Sequence, residues 1–379
     1  MRLAFDIRSL ISRQLTGVGG YAQELLESLL KLDQVNQYDL FYNAFYPPSS
    51  SLTLNFSHYP NARLRVFKYP NKIFNASLVF LHQPKLDRLM KGCDRWFFPN
   101  LTFWSISSNC PSMVTVHDLS FIRIPWAYSW KGRLWHKIIG PKNKLEAAAK
   151  IIAVSQNTKK DLIELYHLLP EKIEVIYPGI EQGTNDKEPF DAAQGRQRAN
   201  RLRLPERFIL YLGTLEPRKN VEGVVKAFEQ LKQMDLYLVI AGVPGRLYRK
   251  IYRLAKNSPS GKRIIFLNYI AAEERWLLYR QAQALVWPSF YEGFGFPPLE
   301  AMAHGCPVIT SANSSLAEVT GGAALLVDPY NINEISEAIK LILDNPSLRE
   351  KLVEQGYEQA KKFTWEAAAR KMLQVFEAL

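Results

Sequence analysis

Two glutamates, Glu292 and Glu300, flank a short segment rich in glycine and proline. Residues 293–298 read Gly-Phe-Gly-Phe-Pro-Pro and come shortly after an apolar run that ends at Trp287. The glycines expose backbone N–H groups, and the prolines suit the first turn of a helix that would run to Gly305. A helix N-terminus binds phosphate, while a carboxylate accepts hydrogen bonds from the two neighbouring hydroxyls of a sugar or ribose. The segment therefore predicts a phosphate site between two carboxylates that bind diols.

Two cations follow a second apolar run, Phe208–Leu212. Arg218 and Lys219 belong to the sequence Glu-Pro-Arg-Lys-Asn, a few residues beyond the end of this predicted strand. Ligands of open α/β sheets bind beyond the carboxyl ends of the strands, where cations can neutralise a departing diphosphate. The alternative is a solvated basic turn, and it has more weight for Arg218 than for Lys219.

His117 and Asp118 come directly after a third apolar run, Met113–Val116. This position also lies at the carboxyl end of a predicted strand, so His117 is a candidate ligand-binding residue. Taken alone, the pattern fits a histidine that is hydrogen-bonded within the core better than it fits a ligand-binding one. Asp118 is a weaker candidate, because an aspartate at this place can also cap a turn.

The glycine-rich segment Thr16–Ala22 can be aligned with the G-x-G-x-x-A fingerprint of dinucleotide-binding proteins. However, it lies about nine residues beyond the first predicted strand, Arg2–Ile7, and no acidic residue follows at the expected spacing. NAD is therefore not a predicted cofactor. Gly19 and Gly20 either begin a helix or face a ligand.

The segment from Glu292 to Glu300 resembles the Glu-x7-Glu donor motif of retaining GT-B glycosyltransferases in glycosyltransferase family four. The resemblance implies that Glu300 binds the ribose of the nucleotide and that Glu292 contacts the transferred sugar. Backbone amides between them would line the site. The donor-binding residues implied in this way are Glu292, Gly293, Phe294, Gly295, Phe296, Glu300, Gly213, Arg218, Lys219, Gly19 and Gly20.

The other motifs fit the same family. Lys219 matches the lysine that binds the diphosphate, His117 matches the histidine near the transferred sugar, and Gly19 and Gly20 match a glycine loop near the donor phosphates. The resemblance thus implies catalytic roles for Glu292, His117 and Lys219. Many members have an arginine directly after the glycine where this chain has Thr214. Either Arg218 supplies that missing cation or it points away.

The family implies transfer with retention, by attack on the same face that the leaving group departs from, without a bound metal. The sequence agrees, because it has no Asp-x-Asp motif and no His/Cys ligand cluster. We predict no cofactor and no metal site. The sequence resembles bacterial mannosyl- and glucosyltransferases of polysaccharide assembly, so UDP-glucose and GDP-mannose are the candidate donors. The acceptor would be a saccharide or a lipid-linked precursor.

The elements that position these residues alternate between strand-like and helix-like patterns, which predicts α/β folding with parallel sheets. Polar, unpatterned residues 181–205 separate two such series and predict a linker. We expect GT-B architecture, with two doubly wound Rossmann-like domains facing a central cleft that closes about the linker. The predicted parts are an acceptor-side domain at 1–180, the linker, a nucleotide-sugar-binding domain at 206–363, and a terminal helix at 364–379 that packs back on domain one.

The positive charge of the chain is concentrated in its first half. Residues 1–180 contain 22 Lys and Arg against 13 Asp and Glu, and five of the eight tryptophans lie between Trp96 and Trp135. Residues 125–137 interleave aromatic and basic side chains. Three interpretations stay open: peripheral contact with an anionic membrane, a nucleic-acid platform, or a helix with a packed aromatic face and a solvated basic face. No nucleic-acid-binding motif accompanies the stretch, so nucleic acid is not a predicted partner.

The sequence has three cysteines, no signal-like amino terminus and no run of about 20 apolar residues. These features predict a cytoplasmic protein, with peripheral attachment to the membrane as the open alternative. Two rival functions are a sugar-nucleotide epimerase or phosphorylase on the same architecture, and a non-catalytic membrane- or nucleic-acid-binding protein. A phosphorylase requires a lysine environment for pyridoxal phosphate that the sequence does not show.

Overall fold

Apolar runs that end at turn residues dictate the core of the molecule, because such runs are buried as parallel strands between layers of helices. The computed structural model describes residues 1–11, 17–45, 56–182, 202–268 and 270–379. Most of the predicted linker, at 183–201, lies outside the described residues, as does Thr16 of the glycine-rich segment.

The chain divides into two units. Unit 1 comprises Met1–Gly179 together with Thr364–Leu379, and unit 2 comprises Ile180–Phe363. Each unit is built around its own parallel sheet, as the alternating pattern predicts.

The described part of unit 1 contains a seven-stranded parallel sheet with the order β3-β2-β1-β4-β5-β6-β7. The chain winds outward from β1 to β3 and then returns to β4 on the other side of β1. Its strands are β1 (Arg2–Asp6), β2 (Gln37–Asn43), β3 (Ala62–Phe67), β4 (Arg95–Phe98), β5 (Ser112–Val116), β6 (Lys150–Ala153) and β7 (Ile173–Val175).

Helices cover this sheet because parallel strands need crossover connections. The α-helices described in unit 1 are α1 (Gly17–Leu32), α2 (Asn71–Ala76), α3 (Leu86–Leu89), α4 (Ser120–Arg123), α5 (Trp130–Ile139), α6 (Pro141–Ala147), α7 (Gln156–Tyr166) and α15 (Trp365–Ala378). A π-helical turn, Ser77–Leu81, follows α2, and short 3-10 turns cover Arg8–Ile11, Phe56–His58, Pro125–Ala127 and Pro170–Lys172.

Helix α1 has the apolar spacing of a helix that is buried along one face. Tyr21, Leu25 and Leu29 share one face by their spacing, and all three are buried. The terminal helix α15 packs against α1, and the Trp365 ring lies 5.8 Å from the Tyr21 ring.

The described part of unit 2 contains a six-stranded parallel sheet with the order β10-β9-β8-β11-β12-β13. This winding repeats that of the first six strands of unit 1. Its strands are β8 (Phe208–Leu212), β9 (Tyr237–Ala241), β10 (Ile264–Leu267), β11 (Leu285–Trp287), β12 (Val308–Ser311) and β13 (Leu325–Val327).

The α-helices of unit 2 follow the same rhythm. They are α8 (Val221–Glu229), α9 (Tyr248–Asn257), α10 (Ala272–Gln281), α11 (Phe296–Ala303), α12 (Ser314–Thr320), α13 (Ile332–Asp344) and α14 (Pro346–Ala360). Short 3-10 turns cover Pro217–Lys219 and Gly261–Arg263. Among the helices of the described residues, none combines the length and the apolar character that a bilayer span requires.

Candidate functional site

The cations predicted after β8 meet Glu292, which follows β11. Strands β8 and β11 are neighbours, and the winding of the sheet reverses between them, so the loops after them border the usual ligand crevice of such sheets. Lys219 Nζ lies 2.5 Å from Glu292 Oε1, and Arg218 Nη1 lies 2.9 Å from Glu292 Oε2. The structure thus brings three predicted site residues into direct contact, and Arg218 points toward the carboxylate.

Unpredicted serines hold Glu292 in place. The Ser289 hydroxyl lies 2.7 Å from Glu292 Oε1, where it donates a hydrogen bond. The Glu292 amide donates to Ser314 Oγ at 3.1 Å, and the Ser315 hydroxyl donates to the Glu292 carbonyl at 2.9 Å. The pattern Pro-Ser before the turn and Asn-Ser-Ser after β12 is the sequence signal that marks these residues.

Burial and ion pairing act in opposite directions on this cluster. Burial raises the pKa of Glu292, but the nearby charges of Arg218 and Lys219 outweigh it and bring that pKa to about 2. Burial and the charge of Arg218 lower the pKa of Lys219, and Glu292 opposes them. Glu216 also pairs with Arg218, with its Oε1 3.1 Å from Nη2. A diphosphate that binds these cations must therefore compete with a carboxylate already in place.

The second glutamate of the motif, Glu300, has different partners. Arg275 Nη1 donates to Glu300 Oε1 at 3.2 Å, and the Tyr279 hydroxyl donates to Glu300 Oε2 at 3.0 Å. Burial and the charge of Glu300 raise the pKa of Tyr279. Both partners lie on α10, four residues apart and hence on one face, which is the signal in the sequence that could have indicated them.

The glycine turn leads into α11, and the sequence pattern predicts Glu300 in the first turn of this helix. The helix begins at Phe296, so Glu300 lies in its second turn and that prediction is wrong. The N-cap Gly295 has φ 122°, a conformation that favours glycine. Pro297 and Pro298 occupy two of the four positions whose N–H groups face outward from a helix start, and proline has no N–H. Two of the four amides that the start of this helix would otherwise offer to an anion are therefore missing.

Gly213 packs against the Trp287 ring, which also contacts Lys219 of the cluster. A Cβ on Gly213 would lie 2.4 Å from the Trp287 ring, and Lys219 Nζ lies 4.8 Å from the centre of that ring. The glycine is therefore required for close packing of Trp287, and its role in donor binding stays a prediction.

In unit 1, His117 lies at the carboxyl end of β5, between the Pro99 carbonyl and the Tyr21 ring. His117 Nε2 lies 2.9 Å from the Pro99 carbonyl oxygen, which can only accept, so Nε2 carries the proton. The Tyr21 ring contacts the imidazole edge-on, with centroids 4.8 Å apart. Burial lowers the pKa of His117, although the Pro99 bond and Asp118 oppose this effect. The imidazole is thus kept neutral, and its Nδ1 is an acceptor.

Gly19 and Gly20 lie in the first turn of α1, the helix that carries Tyr21. A Cβ on Gly20 would meet no atom of the described residues within 4 Å. The packing of the described residues therefore does not require glycine at position 20, and the space among them beside Gly20 is open.

Asp118 and Ser155 each cap a local element of structure. Asp118 Oδ1 accepts a hydrogen bond from the Ser120 amide at 3.0 Å, as expected for a turn cap. The Ser155 hydroxyl caps α7 by accepting a hydrogen bond from the Thr158 amide at 3.0 Å.

Groups of three or more His, Cys, Asp or Glu side chains that could hold a metal ion do not occur in the described part of the chain. The positive charge beside Glu292 comes from Arg218 and Lys219.

Comparisons with known protein families cover most of the chain. A family described as "Glycosyl transferases group 1" matches residues 195–359, and one described as "Glycosyltransferase Family 4" matches residues 16–182. The chain is similar to O-antigen chain mannosyltransferase B of Escherichia coli, with 28% identity over 97% of this chain and 98% of that protein. It is also similar to serotype-specific mannosyltransferase WbdA of Escherichia coli, with 29% identity over 62% of this chain but only 30% of the length of WbdA.

Solved structures show the same fold. Sucrose-phosphate synthase of Thermosynechococcus elongatus has a TM-score of 0.78 at 23% identity, over 100% of this chain and 98% of that chain. HepE of Anabaena, solved in complex with UDP and glucose, has a TM-score of 0.74 at 16% identity over 100% of both chains. One assignment follows from three findings: the two matched family domains, the Rossmann-like sheet in each unit, and the Glu292 cluster. The chain belongs to glycosyltransferase family four and is a glycosyltransferase of the GT-B fold.

Proposed function

We propose that the protein transfers a single hexose, mannose or glucose, from GDP-mannose or UDP-glucose to a polysaccharide precursor or lipid-linked acceptor. We further propose that the reaction retains the anomeric configuration, requires no metal or other cofactor, and takes place in the cytoplasm. The observation that carries the proposal is the contact of Glu292 with Arg218 and Lys219 at the switch point of the unit 2 sheet.

Breaking a sugar–phosphate bond leaves negative charge on the departing nucleoside diphosphate. Arg218 and Lys219 are held in place before the donor arrives, so they need little reorganisation to stabilise that charge, although the diphosphate competes with Glu292 for them. Lys219 is held over the Trp287 ring and against Glu292, which restricts its position further. These two cations supply the charge neutralisation that a divalent metal supplies in other nucleotide-dependent enzymes.

Glu292 is poorly suited to attack the sugar itself. Its carboxylate is engaged by two cations and a serine hydroxyl, and its pKa of about 2 makes it a weak base and a weak nucleophile. We therefore favour attack by the acceptor on the face from which the diphosphate departs. In this role Glu292 binds a sugar hydroxyl and positions the cations.

His117 contributes a hydrogen-bond acceptor to the proposed reaction. With Nε2 fixed on the Pro99 carbonyl, Nδ1 can accept a hydrogen bond from a hydroxyl of the transferred sugar. A neutral imidazole adds no positive charge beside the positively charged transition state.

Mannose is the hexose that we favour, because the relative that matches this chain over nearly its full length is named as a mannosyltransferase. A thermal-shift series with GDP-mannose, UDP-glucose, GDP and UDP tests this choice. A donor at 100 times its Kd should stabilise the fold by about 2.7 kcal/mol, and the wrong nucleotide should give no shift. No shift with any nucleotide sugar would contradict the proposal.

Product analysis tests the stereochemistry and the metal requirement. NMR of the product should show the same anomeric configuration as the donor, and the rate should be unchanged by EDTA. An inverted product would exclude same-face attack, and loss of activity in EDTA with recovery on adding Mg²⁺ or Mn²⁺ would exclude metal independence.

A further inference from the structure

Helix α5 exposes its apolar side chains instead of burying them. Trp130, Leu134, Trp135 and Ile138 are between 42% and 64% exposed, although a surface helix normally turns such residues to the core. Clusters of large exposed apolar side chains mark interaction sites.

The exposed residues of α5 form an ordered stripe. At roughly 100° per residue, the four apolar side chains span an arc of about 140° around the helix axis. Lys131 lies within this arc, and Arg133 and Lys137 lie beside it. The opposite side of the helix is anchored by buried Ile139 and by His136, whose ring stacks on Phe121 at 3.9 Å. The outward side is therefore both apolar and basic.

A second exposed apolar group adjoins the first. Ile73, Phe80 and Leu81, from α2 and the π-helical turn, are between 70% and 75% exposed. The two groups are linked through the segment after β4. Its Ser105 hydroxyl donates to the His82 carbonyl at 2.8 Å, and its Phe103 ring lies 5.9 Å from Trp135.

Both groups follow the carboxyl ends of strands in the same sheet, β3 and β5, and so lie toward one edge of unit 1. We call them together the apolar face. Its members are Ile73, Phe80, Leu81, Trp130, Leu134, Trp135 and Ile138. Neither α5 nor residues 71–81 contain an aspartate or glutamate, while Lys72, Lys131, Arg133 and Lys137 supply positive charge.

We propose that the apolar face docks on an anionic lipid bilayer. Tryptophan and aliphatic side chains would enter the boundary between headgroups and acyl chains, while the lysines and arginine contact lipid phosphates. The inference rests on unit 1 alone and not on the proposed transfer reaction. For a transferase with a lipid-linked acceptor, it brings the enzyme to the surface that holds the acceptor.

The charge and shape of the face favour a bilayer over other occupants. A second copy of the chain would bring like charges together, which is unfavourable. A nucleic acid would use the cations and tryptophans, but Leu134, Ile138 and Leu81 offer no ring on which bases stack. A neutral saccharide would leave the basic residues unused.

Co-sedimentation of the full chain with vesicles tests the proposal. We expect binding to phosphatidylcholine vesicles that contain phosphatidylglycerol, weaker binding at high salt, and little binding to phosphatidylcholine alone. The double variant Arg133→Glu, Leu134→Ser should lower the partition coefficient by about tenfold or more, because each basic residue near an anionic surface contributes about 1 kcal/mol.

The matched control is Lys340→Glu, Leu341→Ser in unit 2. It makes the same changes in charge and apolar area, since Leu341 is 47% exposed and Leu134 is 46% exposed. Binding should be unaffected by the control. No binding of the unmodified chain to anionic vesicles, equal loss in both variants, or tighter binding to RNA than to vesicles would overturn the proposal. Nucleotide-induced thermal shifts should be unchanged in the Arg133 variant, so failure of docking is distinguishable from failure of the proposed function.

Discussion

The two sheets wind in the same order but carry different candidate residues at their carboxyl ends. In unit 2, Glu292 contacts Arg218 and Lys219 directly, so this charged side is built from ion pairs. In unit 1, the charges of Asp6 and Arg8 pair with each other, and the candidate residues His117 and Gly20 form a neutral side. A shared topology therefore fixes where a ligand binds, while the residues after each strand decide what is recognised.

This difference suggests a division of work. The charged side has its interactions already formed and buried, which suits recognition of a diphosphate and stabilisation of its charge. The neutral side offers one oriented acceptor and room, which suits a sugar. Substitutions on the charged side should consequently cost more activity than substitutions on the neutral side.

The largest effect is expected from Glu292→Gln. Transfer should fall by about 10²–10³-fold, because a preorganised group at the reacting centre is lost. Binding of GDP or UDP should become tighter at the same time, because Arg218 and Lys219 are released from a competing carboxylate. Steady-state rates and calorimetric titration with the nucleotide measure the two effects separately.

Glu216→Gln is the matched control, since it also removes a carboxylate from Arg218 but leaves Glu292 in place. It should change transfer far less. If the Glu292 variant lost nucleotide affinity together with activity, the competition between carboxylate and diphosphate would be disproved.

The second effect, of about 10²-fold, is expected from Lys219→Met, which removes a cation from the departing diphosphate. Both the transfer rate and the affinity for GDP or UDP should decrease. Lys226→Met, at an exposed position on α8, controls for the loss of a lysine and should behave like the unmodified chain. Equal rates for the two variants would show that Lys219 serves only to pair with Glu292.

The positions of Arg218, Lys219 and Glu292 after strands could be predicted because those strands are plain apolar runs, while their role in donor binding stays a prediction. Phe208–Leu212 is the predicted strand and is also the observed β8. Strands β2, β3 and β4 were not predicted. In β2 the run is interrupted by Asp39, which is buried because Arg2 and Arg65 pair with it from positions far apart in the chain. A pattern of apolar residues cannot show such a pairing.

Sequence signals mark several of these residues, but which of them contact the two glutamates could not be predicted, for a related reason. Arg275 and Tyr279 reach Glu300 only because α10 packs beside α11, and Ser314 reaches Glu292 only because β12 lies next to β11. The local sequence determines which functional groups each loop carries. The contacts between loops, however, depend on the tertiary fold.

On the neutral side, His117→Ala should reduce transfer by about 10- to 100-fold, since one hydrogen bond to the sugar is lost. The pKa of His117 lies below its ordinary value of 6.5, so the activity of the unmodified chain should not change through this residue above pH 6.5.

As the pH falls below 6.5, the unfolded chain takes up a proton on His117 before the folded chain does, and the free energy of unfolding decreases. His117→Ala should remove that part of the decrease, which urea unfolding across this pH range measures.

The smallest effect on transfer is expected from Gly20→Ala. This variant tests whether a ligand occupies the space beside Gly20. Alanine is the better helix former, and no atom of the residues that the structure describes lies within 4 Å of the new Cβ, so the free energy of unfolding should rise by about 0.5–1 kcal/mol. If the open space admits the donor, kcat/KM should fall several-fold in the same variant, despite its greater stability. Gly17→Ala is the control, because its Cβ is equally unobstructed but lies at the very start of α1. A Gly20 variant that is more stable and fully active would show that this glycine takes no part in the reaction.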